Sequence, residues 1–168
     1  GSARFEQPKP LGRPMTVPAS FTLLIISRHA ELDRLEHRLR GAGSPKEPVA
    51  VLRAVRARDA VEIISNAAVD AILLSPSALG ADFSAIRTLR RAAPHVPIVV
   101  ATDAAHESLA FQAVQAGAQD YVIKELDNSR VWWRALRHAV ERETLARRRD
   151  ALLGADQVQV PLAVMYVD

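Results

Sequence analysis

Short, almost unbroken apolar runs alternate along this chain with stretches whose apolar residues recur at helical spacing, and that alternation decides the fold. Phe21–Ile26 (FTLLII), Ala71–Leu74 (AILL), Pro97–Ala101 (PIVVA) and Tyr121–Ile123 (YVI) are too short for helices. Runs of this kind read as strands buried on both faces. Val49–Val55 alternates apolar and polar residues weakly, as a strand would. Between them, residues 29–41 place Leu32, Leu35 and Leu39 on one helical face, and Gly41 and Gly43 stop that helix. Val61, Ile63, Ile64 and Ala67 follow Asp59, read as an N-cap; Phe83, Ile86 and Leu89 follow Asp82, read as another. Residues 105–116, closed by Gly117, and the Arg-rich residues 128–150 complete the helices. Strand and helix therefore alternate five times, which predicts an α/β fold with a doubly wound, five-stranded parallel sheet and an extended C-terminal helix. Sites in such sheets lie beyond the C-terminal strand ends. The informative residues are then Ser27 and Arg28, Ser75, Thr102 and Asp103, and Lys124 and Glu125.

The 168 residues hold one such domain and some extra chain. Residues 1–20 contain four of the ten prolines and little periodicity, so a disordered leader is expected, opening on Gly1-Ser2 as a tag scar. Residues 21–140 form the domain and 141–156 a helical linker. Residues 157–168 begin a further domain, with Gln159–Asp168 (QVPLAVMYVD) as its first strand. Lys+Arg 22 against Asp+Glu 19 gives a net charge of +3, too small for histone-like or arginine-tract binding of nucleic acid. Cys 0 excludes a disulfide scaffold, a cysteine-ligated metal and a thiol enzyme. No apolar run approaches the ~18–20 residues that span a bilayer.

PIVVAT (97–102) followed by AVQAGAQDYVIK (113–124) resembles the bacterial response-regulator receiver domain, a flavodoxin-like, CheY-like fold. The likeness covers about residues 20–140. It implies a phosphate-reading pair at Thr102 and Lys124 and an aromatic switch residue at Tyr121. It also implies a Mg²⁺-binding acidic pair after the first strand, where this chain has Ser27 and Arg28. The phosphorylated Asp after the third strand is replaced by Ser75, and the Pro after the terminal Lys by Glu125. A cis bond before a non-proline residue would cost about 2.5–4 kcal/mol.

Phosphoryl transfer needs a nucleophilic oxygen and a divalent cation, and Mg²⁺ wants hard oxygen ligands. One hydroxyl and one arginine do not replace three carboxylates. The Ser75 hydroxyl is barely ionised at neutral pH and no base is apparent beside it. Asp70 precedes the third strand and belongs ~15 Å away, at the strand's other end. Asp103 borders the crevice alone. The expectation is a pseudo-receiver: fold kept, switch chemistry gone, no enzyme activity, no metal and no cofactor. Lys124 is expected to fill the crevice, bonded to Ser75 or Asp103; the alternative is a small anion bound between Arg28 and Lys124.

His29, His37, His95, His106 and His138 are dispersed without metal-ligand spacing. Trp132 and Trp133 point about 100° apart on a helix, so one is expected in the core and Trp133 near the surface as an interface anchor; the alternative is that both rings pack against the domain or the N-terminal stretch. In receivers the fourth helix, fifth strand and fifth helix commonly pair, which makes His106, Trp133, Arg137 and Val140 the candidate interface. Arg130, Arg134, Arg137, Arg142 and Arg147–Arg149 form a positive stripe against Glu141, Glu143 and Asp150, read as the solvated face of a signalling helix with Val140, Leu145, Leu152 and Leu153 as a weak seam.

A pseudo-receiver, a long helix and a PAS-like start together resemble the amino-terminal part of FimX-type receiver–PAS–GGDEF–EAL regulators, which bind cyclic-di-GMP and control type IV pili and twitching. The shared cues are the LLII opening, the AGAQD turn and the GAQDYV strand. The resemblance implies a non-catalytic module for dimerisation and docking, with a homodimer and a signalling or pilus-regulatory protein as partners. It implies the bacterial cytoplasm, and the cell pole, as location. One alternative is the pseudo-receiver of an RNA-binding antiterminator, which would need a small helical domain next. The other is a phosphoreceiver with an atypical acceptor.

Overall fold

The computed structural model describes residues 21–41 and 45–167, with side chains as far as Gly154. The expected leader at 1–20 lies outside the described residues. Five strands, β1 (Phe21–Ile26), β2 (Val49–Ala54), β3 (Ala71–Leu74), β4 (Ile98–Thr102) and β5 (Asp120–Ile123), form one parallel sheet in the order β2-β1-β3-β4-β5. The helices are α1 (His29–Leu39), α2 (Ala57–Asn66), α3 (Ser84–Ala92), α4 (Glu107–Gln115) and α5 (Ser129–Val167). The expected doubly wound α/β fold is what the chain adopts.

Successive strand residues face opposite layers, so the apolar runs feed two cores. Leu23, Ile25, Leu73 and Val99 meet α1 and α5 through Leu32, Leu35, Leu39, Trp132 and Leu136. Leu24, Ile26, Leu74 and Val100 meet α3 and α4 through Ile86, Leu89, Ala110 and Ala113. An all-apolar strand is the requirement for filling both layers. Gly117 stops α4 as expected, at φ +130°, and a Cβ there would lie 3.0 Å from Arg90 Cδ.

Several local expectations need correction. α2 begins at Ala57 with Arg56 as N-cap, so Asp59 sits in the first turn, where it pairs with Arg56 at 3.6 Å. Asp82 does not cap α3. It and Phe83 take left-handed backbone (φ 52° and 56°), and the Asp82 carbonyl accepts from Arg87 Nη1 at 2.6 Å. Both tryptophans are buried: Trp132 is fully enclosed and Trp133 is 4% exposed. Trp133 Nε1 donates to the Leu39 carbonyl at 2.7 Å, and its ring meets Phe21 edge-on at 5.7 Å. The helix is closely flanked by α1 and by the start of β1, so residues 100° apart both find a wall.

Residues 157–167, expected to open a strand, are helical as the end of α5. A helix continued from α5 pairs most of its backbone groups within the segment, with Pro161, which has no N–H, as an exception, whereas a lone strand leaves them unpaired. Among the described residues no helix is long and apolar enough to cross a membrane.

Candidate functional site

Parallel topology brings the C-terminal ends of β1, β3, β4 and β5 to one edge, on either side of the β1/β3 junction where the winding reverses. A cleft of about 370 Å³ opens there, lined by Arg28, Glu31, Ser75, Ser77, Asp103, His106 and Lys124 among others. The buried polar residues Ser27, Ser75 and Thr102 all stand at this edge.

Its centre is Glu31, in the first turn of α1, where the helix N-terminus favours a negative charge. Glu31 Oε1 accepts from Ser27 Oγ at 2.8 Å and from Ser75 Oγ at 3.1 Å. Its Oε2 lies 3.5 Å from Arg28 Nη2 and 3.9 Å from Lys124 Nζ. The Arg28 amide donates to Ser77 Oγ and the Ser77 hydroxyl to Ser75 Oγ, both at 3.3 Å. The Ser27 and Ser75 hydroxyls thus donate to the one carboxylate, and Ser77 donates to Ser75. Partial burial raises the Glu31 pKa, but the Ser27 hydroxyl, the Lys124 ammonium, the Ser75 hydroxyl and Arg28 outweigh it and hold the carboxyl below its ordinary range.

The site therefore brings together Ser27, Arg28, Ser75 and Lys124, but around a residue that the sequence reading passed over. Lys124 is paired with Glu31, not with Ser75 or Asp103. A base does stand beside Ser75, contrary to expectation, although a carboxylate held below its ordinary pKa is a weak proton acceptor. Glu31 lies four residues after Ser27, one helical turn on, and that spacing was the available signal.

Thr102 and Tyr121 are not drawn into this network. The Thr102 hydroxyl is within reach of the carbonyls of Asp103 (3.2 Å) and His106 (3.3 Å). The Tyr121 hydroxyl donates to Glu107 Oε2 at 2.8 Å, which raises its pKa. Asp103 is engaged by His106, through Nδ1 at 2.6 Å and through the backbone amide at 3.0 Å, and the imidazole contact holds its carboxyl below the usual range. Asp70 is at the far end of the sheet, accepting from the Thr22 amide at 2.7 Å.

Mg²⁺ fits this donor set poorly. The two carboxylates lining the cleft are committed to hydroxyls, cations and an imidazole, and an ammonium and a guanidinium stand beside Glu31. No group of three or more His, Cys, Asp or Glu side chains is placed to hold a metal among the described residues.

The loop carrying Lys124 is held from α1. Arg38 Nη2 donates to the carbonyls of Lys124 and Asp127, with its guanidinium 4.8 Å above the Trp132 ring. The Lys124–Glu125 peptide is trans. Glu125 turns back to accept from the Ala104 amide at 2.8 Å.

Of the candidate interface residues, His106 is exposed. Arg137 is half-buried, paired with Glu47 and 5.5 Å from the Phe21 ring centre, and Val140 packs against the α1/α5 core. Trp133 is no surface anchor. Among the described residues, the exposed large apolar side chains from α4 through α5 are Phe111 on α4 (55%), Leu126 before α5 (72%), and Leu145, Leu152 and Leu153 on α5.

A family model for the response regulator receiver domain matches residues 44–135. No curated protein matches the chain. Among solved structures, a putative response regulator from Chloroflexus aurantiacus is 25% identical, with TM-score 0.56 over 70% of this chain and 98% of that one. NtrX from Brucella abortus, in complex with ADP, is 20% identical, with TM-score 0.62 over 80% of this chain and 30% of that one. The receiver domain of the sensor histidine kinase PA1611 from Pseudomonas aeruginosa, with magnesium coordinated in its active-site cleft, is 24% identical, with TM-score 0.58 over 73% of this chain and 99% of that one.

Proposed function

This chain belongs to the response regulator receiver domain family, and from that premise we propose that it is a non-catalytic, phosphorylation-independent receiver used for dimerisation and docking within a larger signalling protein. The observation that carries this reading is the identity of the residue at the end of β3. Ser75 stands there, its hydroxyl donated to Glu31, in a cleft whose cations already have a carboxylate. Phosphoryl transfer would need a nucleophile and metal ligands that these residues do not supply.

Phe111 and Leu126 support a docking role, since exposed apolar side chains rimmed by polar ones are the usual material of an interface. The larger protein is proposed to be a FimX-type cyclic-di-GMP regulator of type IV pili, on the sequence cues LLII and AGAQD. Sedimentation equilibrium tests the module directly. A dimer at micromolar concentration, unchanged by acetyl phosphate and Mg²⁺, is expected; a strict monomer removes the main support.

One structural observation favours the antiterminator reading. The helix over Gln159–Val167 takes away the strand that separated the two. A salt-dependent RNA gel shift by the longer protein would select it.

A further inference from the structure

The contacts around Glu31 have the form of an anion cradle. Its partners come from three separate strand ends: the Ser27 hydroxyl after β1 and the Ser75 hydroxyl after β3 donate hydrogen bonds, and the Lys124 ammonium after β5 forms an ion pair at 3.9 Å. Arg28 adds a fourth, and α1 supplies the carboxylate they converge on. Side-chain exposure of Glu31 is 17%, against 65% for Arg28, so the carboxylate sits inside the rim rather than on it. The other acidic side chain of the cleft, Asp103, is engaged by the His106 imidazole and backbone amide and draws no hydrogen bond from Ser27, Ser75 or Lys124.

Consider the same cleft without the Glu31 charge. Ser27 and Ser75 are buried and would lose their acceptor, and Lys124 and Arg28 would lose their counter-charge. Buried donors without partners and uncompensated cations are costly, and a small tetrahedral oxyanion offers acceptors to all of them at once.

We propose that Glu31 is the resident anion of this cleft, an internal carboxylate that fills an oxyanion-binding site built by Ser27, Ser75, Lys124 and Arg28 and so holds the domain in one state. The proposal rests on the reading of the receiver as phosphorylation-independent and adds what replaces the signal: the anion is encoded in α1 and is always present. It also assigns a role to Lys124 that needs no phosphate, because Lys124 reads Glu31.

Amide chemical shifts followed during sulfate titration test this on the wild-type chain, Glu31→Ala, Glu31→Ser and Glu31→Gln. Sulfate is expected to move the amides of Ser27, Ser75 and Lys124 saturably in Glu31→Ala, with affinity at least about tenfold above wild type. Glu31→Gln loses the charge but keeps the side-chain volume and an acceptor for Ser27 and Ser75, so it is expected to stay close to wild type; Glu31→Ser empties the cradle as alanine does, is expected to gain binding as well, and carries the test if the alanine variant does not fold. Equal sulfate binding by wild type, or no gain in a folded Glu31→Ala or Glu31→Ser variant, overturns the proposal. Intact mass after acetyl phosphate treatment of wild type separates the two readings: a phosphoryl adduct there would sink phosphorylation independence, whatever sulfate does in the variants.

Discussion

Arg38, in the last turn of α1, donates from Nη2 to the backbone carbonyl of Lys124. The same nitrogen reaches the Asp127 carbonyl, so one guanidinium spans the whole turn between β5 and α5. Its stem and charge lie over the buried Trp132 ring. The residue that faces Glu31 is thus set from behind by the helix that also bears Glu31. α1 fixes both members of the pair.

Replacing Arg38 by Ala removes two hydrogen bonds from a charged donor and the cation over Trp132. A loss of about 1–3 kcal/mol is expected in urea unfolding. Lysine restores charge but has a shorter reach and no planar guanidinium to lie over Trp132, and Arg38→Lys is expected to recover less than half of that loss. The Lys124 amide should shift in both variants.

Trp133 has a structural job. Trp133→Phe keeps most of the apolar volume and the Phe21 contact but loses the bond to the Leu39 carbonyl, leaving that acceptor unpaired. A cost of about 1–3 kcal/mol is expected, with the self-association constant unchanged in sedimentation.

Phe111 is the opposite case, exposed on α4. Phe111→Glu is expected to leave unfolding within about 0.5 kcal/mol of wild type. Self-association should weaken by about tenfold or more, since a charge at the centre of an apolar contact is poorly paired.

The fold was legible because each buried strand must feed two cores, and only all-apolar runs such as AILL and IVVA do so. The strand-end residues followed from topology, which placed Ser27, Arg28, Ser75 and Lys124 together without any contact being known. Glu31 was hidden because it lies in a helix, where an acidic residue in the first turn is ordinary. Its inward aim depends on the distance to Ser75, 44 positions away. Trp133 misled because helical geometry gives the angle between two rings but not how much of the circle neighbours cover. The strand read at Gln159 failed for a related reason: apolar residues permit a strand, but only a paired neighbour makes one.

Lowering the pH tests the Glu31 network as a whole. Its carboxyl is held below the ordinary range in the folded chain, so its contribution is complete above the unfolded value of about 4.3 and is lost as the pH falls through the folded value. The stability difference between wild type and Glu31→Gln should therefore be constant at neutral pH and shrink toward zero in acid. A difference independent of pH would mean that the charge of Glu31 does not matter to the fold.

The most direct measurement is intact mass spectrometry of the wild-type chain after incubation with acetyl phosphate and Mg²⁺, beside a receiver that has its aspartate. An unchanged mass for this chain, with a phosphoryl gain in the control, is expected. A stoichiometric phosphoryl gain located on Ser75 would contradict the reading of the cleft as one already filled by Glu31.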